Sequence, residues 1–250
     1  MTLPPALELV ALAGAGFAAS VLNVIAGGGS FLTLPLLIFL GLPATAANAT
    51  NRLGILTQNV GGVWAFHRHG VLDWRWGLRA SVPALLGATV GTWLALQVGE
   101  REFRRILATL MLVVTLWTLL DRSGRLARIL ERLRHRRAVL AVAFALAGVY
   151  AGFIQAGVGF FILALTSVGG LDLVRGNAVK LLVILATTTL SLLLFAWNGH
   201  VDWLAGTGLA LGSLVGSLVG VRLTVLKGHS WVRGVVTAAI VVFAVKLWLG

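Results

Sequence analysis

The sequence predicts an all-α polytopic membrane protein made of two repeats, and three observations lead to this fold class. The 250 residues are 58% hydrophobic and only 11% charged, whereas a soluble domain carries about 25% charged residues. Residues 9–51 and 138–171 contain no Asp, Glu, Lys or Arg, and charge-free apolar runs of about 18 residues or more are typical of membrane-spanning helices. The third observation is a duplication along the chain.

The duplication is clearest between NATNRLGILTQNVGGVWAFHRHGVLDW (48–74) and NAVKLLVILATTTLSLLLFAWNGHVDW (177–203). Nine of these 27 positions are identical without a gap. Upstream, with one residue of slippage, AGGGSF (26–31) aligns with AGVGFF (156–161). This self-similarity divides the chain into a first transmembrane repeat at 1–120, a basic linker at 121–137 and a second transmembrane repeat at 138–250.

In the first repeat we expect a helix over residues 7–26 that ends at three consecutive glycines, because each glycine lowers helix propensity by about 1 kcal/mol relative to alanine. A short apolar helix over 31–40 follows and ends at Gly41-Leu42-Pro43. It is too short to cross a membrane, since a span needs about 20 residues. Three longer helices complete the repeat, over residues 44–67, 76–98 and 103–120. The second repeat contains the same series, expected over residues 138–156, 160–168, 173–197, 203–226 and 231–249.

The basic residues predict the orientation of the repeats. Seven of the 20 lie in the linker DRSGRLARILERLRHRR (121–137), and positively charged loops stay in the cytoplasm. We expect this linker near anionic lipid head groups and expect no nucleic acid as a partner. Loop 68–79 contains three arginines, whereas loop 198–202 of the second repeat contains no Lys or Arg. The two loops are therefore expected on opposite sides, so that the repeats are inverted, each with a glycine-broken helix hairpin plus three membrane-spanning helices.

The two glycine breaks are candidate parts of a binding site. Inverted-repeat transporters bind substrates near the midplane, where interrupted helices expose N–H groups and dipole ends. A break at 27–30 lets a helix begin near Ser30, and the N–H groups of its first turn have no partners within that helix. An anion can accept hydrogen bonds from them. Alternatively, the glycines only permit close helix packing, as we expect for SLVGSLVG (213–220).

Two basic residues lie in apolar surroundings close to the breaks. Arg52 and Lys180 each come about eight residues into the helix after a short segment, with no acidic residue nearby in sequence. Intramembrane charges are costly and mark functional positions, although either side chain could instead extend to the interface. In the repeat alignment Asn51 matches Lys180. If the repeats are inverted, the two cations approach the centre from opposite sides, which suits an anion.

The residues expected at the substrate site are Gly27, Gly28, Gly29, Ser30, Asn51, Arg52, Gln155, Gly157, Gly159 and Lys180. Further uncharged polar side chains that can complete a cage around an anion are Asn23, Thr33, Asn48, Gln58, Asn59, Asn177 and Thr187.

Other kinds of site have little support in the sequence. All eight acidic residues fall in predicted loops or at span ends, whereas a cation carrier would need one inside the membrane. There is no cysteine, which excludes disulfides and thiol chemistry. His67 and His69 have no carboxylate nearby and make a weak metal site. We therefore expect no catalytic residue, no metal and no cofactor, and an enzyme is the least favoured class together with a membrane anchor.

The segments GGGSFLTLPLL and LPATAANATNRLG, with their weaker counterparts AGVGFFILAL and VRGNAVKLLV, resemble the TauE/SafE family of sulfite and organosulfur-anion exporters. The resemblance covers nearly the whole chain and both repeats. It implies a multi-pass permease of the cytoplasmic (inner) membrane of a prokaryote that exports a small anion such as sulfite or an organosulfonate. Anion uptake or a channel-like facilitator remains the alternative within transport.

Overall fold

The structure is a computed structural model that describes residues 5–120 and 137–227. The described residues form nine α-helices and no strand. The helices are α1 (Pro5–Ala26), α2 (Ser30–Phe39), α3 (Ala44–Arg68), α4 (Trp74–Gln97), α5 (Glu100–Leu120), α6 (Arg137–Phe153), α7 (Val158–Val168), α8 (Leu173–Trp197) and α9 (Trp203–Lys227). The helix predicted over 231–249 and nearly all of the basic linker 121–137 lie outside the described residues.

The all-helical fold class is confirmed, and the helix bounds agree with the sequence-based ones to within three residues. The largest differences are three residues, at the start of α5, which begins at Glu100 and not at residue 103, and at the end of α6, which falls at Phe153 and not at residue 156. Gln155 has a φ of +68° and Gly157 a φ of +76°. Backbone in this left-handed region cannot continue a right-handed helix, so the second break begins earlier than its glycines suggest.

Four described helices are long and apolar enough to cross a membrane: Ala6–Ile25, Trp74–Gln97, Leu173–Trp197 and Trp203–Leu226. The third of these is α8, and it is the most enclosed. Of its most apolar 18-residue stretch, 67% is buried, whereas the corresponding share is 39–44% in the other three helices. α3 has the length of a span, but many of its buried side chains are polar. α8 and α3 pack against each other at the centre of the described helices.

The outer helices pair across the two repeats. α1 packs along α9, and α6 packs along α4, so the first helix of each repeat lies against the fourth helix of the other. Small residues allow this close approach. A Cβ atom on Gly216 would overlap the backbone of Phe17, and one on Gly91 would overlap that of Val149. The expectation that SLVGSLVG (213–220) serves helix packing is confirmed at Gly216.

Candidate functional site

The two glycine breaks touch each other. A Cβ atom on Gly27 would lie 2.6 Å from the carbonyl carbon of Gly159, and one on Gly159 would lie 2.5 Å from the Cα atom of Gly27. Real Cβ atoms do not approach other atoms so closely, so both positions require glycine. Gly27 also has a φ of +97°, which side chains with a Cβ atom rarely adopt. The breaks of the two repeats therefore form one junction.

The three glycines of the first break have different surroundings. Gly29 faces α1, where a Cβ atom would overlap the carbonyl oxygen of Ala19. Gly28 faces the ring end of Phe160, and a Cβ atom there would lie 3.1 Å from it. Close packing thus explains Gly27 and Gly29 without a ligand, as the packing alternative from the sequence anticipated. Gly28 is the least restricted of the three.

A small cavity lies beside the first break, between α1, α2, α3 and α9. About 10 Å³ is open to the centre of a water-sized sphere, which is room for about one water molecule. Three of the residues expected at the substrate site, Gly29, Ser30 and Asn51, line it. The remaining lining residues are Ala19, Asn23, Thr33, Gly54, Ile55, Gln58, Leu209 and Ser213.

The cavity wall is rich in buried polar groups. The Thr33 hydroxyl donates to Asn51 Oδ1 at 2.6 Å, and the Gly29 N–H donates to Asn23 Oδ1 at 3.4 Å. Gln58 is 2% exposed, and its Nε2 has no hydrogen-bond partner among the described residues. A buried donor without a partner costs about 1–3 kcal/mol. The cavity therefore contains a donor that a ligand oxygen would satisfy.

Lys180 lies at the C-terminal end of α1. Its side chain is fully buried, and Nζ donates to the carbonyl oxygens of Asn23 and Val24, both at 3.0 Å, and to Asn177 Oδ1 at 2.7 Å. The carbonyls of the last helical turn have no partners within the helix and carry its partial negative charge. Lys180 of the second repeat thus caps the broken helix of the first.

Arg52 makes the corresponding contact with the second break. Its side chain is fully buried. Nη2 donates to the carbonyl oxygen of Gly152 at 2.6 Å and Nη1 to Gln155 Oε1 at 2.9 Å, while Nε has no partner among the described residues. The guanidinium carbon lies 4.9 Å from the ring centroid of Phe195. Gln155 in turn donates through Nε2 to the Thr188 hydroxyl.

Neither buried cation has an acidic partner in the described part of the chain. The ion pairs found there are Arg104–Glu100 and Arg175–Asp172, and all four side chains are well exposed. Arg52 and Lys180 do not line the cavity. Their nearest neighbours are carbonyl and amide oxygens, which carry only partial charges. The junction therefore holds two buried basic side chains whose described polar partners are dipoles alone.

The structure places eight of the ten expected site residues in three groups and the other two, Gly157 and Gly28, outside them. Gly29, Ser30 and Asn51 line the cavity, whereas Gly27 and Gly159 form the contact between the breaks. Arg52, Gln155 and Lys180 hold the ends of the broken helices. Gly157 supplies the left-handed backbone before α7, and Gly28 lies next to Phe160.

Sequence reasoning missed three residues of this region. Ser213 lines the cavity, Thr188 accepts from Gln155 and Phe195 stacks near Arg52. Ser213 begins the small-residue stretch SLVGSLVG, where a packing serine and a cavity serine have the same sequence pattern. The other two follow Lys180 along α8 at roughly two and four turns, a helical spacing that could have drawn attention to them.

The pair His67 and His69 shows no metal site in the structure. No group of three or more His, Cys, Asp or Glu residues able to hold a metal ion occurs within 5–120 and 137–227. His67 instead accepts a hydrogen bond from Trp74 Nε1 at 3.1 Å. This contact joins the end of α3 to the start of α4.

Comparison with known proteins identifies the family. The family model described as "Sulfite exporter TauE/SafE" matches residues 12–247. The chain belongs to the TauE/SafE family. The resemblance expected from the sequence is thereby confirmed, and the TauE/SafE chain is a multi-pass membrane transport protein.

Curated relatives of this TauE/SafE protein match over most of their length. It is 28% identical over 229 residues to a "Probable membrane transporter protein" of Haemophilus influenzae, covering 88% of this chain and 87% of the relative. It is 29% identical over 235 residues to "Probable membrane transporter protein YfcA" of Escherichia coli strain K12, covering 92% and 85%. A third relative, "Probable membrane transporter protein ORF9" of a Sinorhizobium species, is 25% identical, covering 93% and 89%. No solved structure matches the chain.

Proposed function

We propose that this protein exports a small oxyanion or organosulfonate, such as sulfite, across the cytoplasmic membrane of a prokaryote. The anion would bind in the cavity beside the touching glycine breaks, near the midplane of two inverted repeats. The observation that carries the proposal is the unpartnered Nε2 donor of Gln58, buried in the cavity wall close to the N-terminus of α2.

Hydrogen-bond donors in the cavity suit an anion with several oxygens. Gln58 lines the cavity, and its Nε2 has no acceptor among the described residues. The amide group of Asn51 and the hydroxyl of Ser30 also line the cavity. Ser30 begins α2, so the partial positive charge of that helix end lies beside the same space, although the Phe31 and Leu32 N–H groups already donate to the carbonyls of Gly28 and Gly29. Sulfite and sulfonates offer acceptor oxygens in a compact group that these donors can surround.

The two buried cations would act on the anion through space. Arg52 is next to Asn51 in the chain, and Lys180 is hydrogen-bonded to Asn23, so each is one residue away from the cavity wall. Charge interactions are strong in a low-dielectric interior. Because no described carboxylate neutralises Arg52 or Lys180, their field favours a negative charge in the cavity. This role replaces the direct contact that the sequence suggested.

Binding requires the cavity to widen. Its present volume fits about one water molecule, and an anion with several oxygens is larger. Gly27 and Gly159 hold the two breaks together, although neither lines the cavity, and we propose that their separation lets the neighbouring space widen. Alternating access in inverted-repeat transporters proceeds by movement of one repeat against the other. In this proposal the described conformation is a closed one.

Export follows from the electrical driving force. An inside-negative membrane potential contributes about 2.3 kcal/mol per 100 mV to the outward movement of one negative charge. An anion exporter therefore needs no second ion to drive it. Uptake against this potential would require coupling, and the eight acidic residues are expected in loops or at span ends, which leaves no carboxylate inside the membrane for a proton or metal cation.

The experiment that tests the proposal is a flux assay with purified protein in liposomes. Vesicles are loaded in turn with sulfite, sulfate, thiosulfate or an alkylsulfonate, and efflux is followed after a potassium diffusion potential is imposed. We expect efflux of at least one of these anions above that of protein-free vesicles, faster when the interior is negative. A protein that moves none of them, or that moves only uncharged or cationic solutes, would contradict the proposal. Efflux that is independent of potential would favour coupled exchange.

A further inference from the structure

The broken end of α1 is an oxygen-lined site that holds an ammonium group. Lys180 Nζ has oxygen neighbours at 3.0, 3.0 and 2.7 Å, the carbonyls of Asn23 and Val24 and the side-chain oxygen of Asn177. An ammonium group has three N–H donors, so all of them are used. These oxygens belong to two different repeats, since Asn177 lies on α8 and the carbonyls lie on α1.

This oxygen cluster has the features of a monovalent cation site. The two carbonyls come from the last turn of α1, whose C=O groups bear partial negative charge; that of Asn23 also accepts from the Gly27 N–H at 2.8 Å. Transporters with broken helices use such carbonyls to coordinate their coupling cations. Here the space is filled by a side chain of the chain itself, and it is fully buried.

We propose that Lys180 is a tethered cation that occupies the place of a free coupling ion at the α1 break. Transport therefore needs no free monovalent cation at this position. It follows that removing the ammonium group converts the site into one that binds a small cation from solution. The binding part of this proposal is independent of the exported anion, whereas its transport part rests on the proposed function.

The second break provides an internal comparison. There Arg52 meets only one backbone carbonyl, that of Gly152, together with the side-chain oxygen of Gln155. The flat guanidinium also lies over the ring of Phe195. A compact ammonium ion cannot reproduce this fork-shaped contact. The two sites thus differ in the cation shape that they accept.

The test uses Lys180→Ala and Lys180→Met, with thermal unfolding of purified protein measured without any anion substrate. Lys180→Ala leaves a space shaped like n-propylammonium, so it is purified in that ion and then transferred to ammonium, potassium, sodium or tetramethylammonium. We expect its unfolding temperature to fall when n-propylammonium is removed and to recover with n-propylammonium or ammonium, saturably, but not with tetramethylammonium. The parent protein should respond to none of these ions.

Two control variants separate a specific site from a general effect of amines. In Lys180→Met the methionine side chain occupies the space of the lysine methylene groups and leaves no room for the ion. The lowered unfolding temperature of this variant should therefore not rise again when n-propylammonium or ammonium is added. Arg52→Ala should not respond to n-propylammonium. An unfolding temperature of Lys180→Ala that no cation raises, or equal recovery of Lys180→Met, would overturn the proposal.

Flux measurements complete the test. The anion flux of Lys180→Ala should be about tenfold or more below that of the parent protein, because the buried Val24 carbonyl and Asn177 Oδ1 lose the ammonium donor. Addition of n-propylammonium or ammonium should restore part of the flux. A parent protein whose flux requires sodium or potassium beyond setting the potential would contradict the tethered-cation role. If no anion is transported at all, the proposed function fails, while the unfolding titration still decides whether the cation site exists.

Discussion

Gly27 and Gly159 meet backbone to backbone, although one belongs to the first repeat and the other to the second. Each position excludes a side chain, so the contact joins the two interruptions into one closed junction. Under the proposed function, these two positions, which tolerate no side chain, would separate to admit a ligand. The stability of the junction and the opening of the cavity would then be linked.

Substituting Gly159 tests this link. Gly159→Ala places a Cβ atom against the Gly27 backbone, and overpacking of this kind costs about 1–3 kcal/mol. We expect a lower unfolding temperature in detergent. Gly14→Ala is the matched control, because Gly14 lies in α1 with nothing within 4 Å of a Cβ atom; it should be neutral or slightly stabilising. Equal behaviour of the two variants would show that the contact does not hold the breaks together.

Gln58→Leu separates binding from folding. It removes a buried donor that lacks a partner among the described residues, so the folded protein should keep its stability or gain some. Anion affinity, measured by calorimetry, should nevertheless fall about tenfold or more, since a hydrogen bond to a charged group contributes about 1.5–3 kcal/mol.

The control for Gln58 is Asn59→Ala. Asn59 Oδ1 also lacks a described partner, but the residue does not line the cavity. The affinity of Asn59→Ala for the anion should equal that of the parent protein. If Gln58→Leu binds the anion as tightly as the parent protein does, the substrate does not bind in this cavity.

The buried charges make a third prediction. Removing one partner of a buried charge interaction costs about 2–5 kcal/mol, so Arg52→Ala and Lys180→Ala should each weaken anion binding by roughly 30- to several thousand-fold. Arg175→Ala is the control, because Arg175 is a basic residue of the same helix as Lys180 whose side chain is 64% exposed. Binding is compared in a buffer without small amines. If both alanine variants bind the anion as tightly as the parent protein, the cations do not contribute and the anion is bound by neutral donors alone.

The inversion of the repeats is tested by labelling. The chain contains no cysteine, so single cysteines report directly on sidedness. His69→Cys and Asn198→Cys occupy equivalent positions of the duplication, and both residues are exposed, with ordinary negative φ values of −80° and −90°. A membrane-impermeant maleimide should reach the first from the cytoplasm and the second from outside. Labelling of both from one side would establish a parallel duplication.

Glu100 makes the stability depend on pH. Its carboxylate accepts from the N–H groups of Ala44 and Thr45, at 2.6 and 3.0 Å, and so caps the start of α3. Burial would raise the pKa of the Glu100 carboxyl, but the hydrogen bonds from Thr45 and Ala44 outweigh it and hold that pKa below its ordinary value. A carboxylate with a lowered folded-state pKa stabilises above its unfolded pKa and loses this contribution as pH falls through the folded value.

Glu100→Gln should therefore cost about 0.5–2 kcal/mol at neutral pH. The difference from the parent should stay constant down to about pH 5 and shrink below the ordinary pKa of about 4.3. Glu102→Gln, an exposed neighbour in the first turn of α5, should have no such effect. Unfolding temperatures measured from pH 3.5 to 7.5 check both expectations, and a difference that grows with acidity would contradict the capping role.

Much of the fold could be read from the sequence because hydrocarbon demands long apolar helices and glycine interrupts them. The helix starts and ends near the breaks were predicted to within three residues. The partners of Lys180 could not be predicted, because its contacts with Asn23 and Val24 depend on how α8 docks against α1. Sequence shows that a charge is present but does not show which carbonyls face it.

Only part of the cavity lining could be predicted, because some of its residues are signalled by their sequence neighbours and others depend on how the helices dock. Ser30 and Asn51 were expected there because a helix start and a cation lie next to them in sequence. Ser213 comes from α9, far along the chain, and its neighbours are small residues that also suit plain packing. Only the docking of α9 on α3 makes it part of the wall.

The pairing of α1 with α9 also sets the order in which the molecule can be built. The ribosome completes α1 at Ala26 and reaches Trp203 only later, on the order of 10–40 s at typical synthesis rates of about 5–20 residues per second. Throughout this time the face of α1 that will receive Gly216 has no protein neighbour from α9 and is exposed to lipid or to the insertion machinery. Docking of α9 is therefore a late event for α1, and a helix that is synthesised early waits for a packing partner that is synthesised much later.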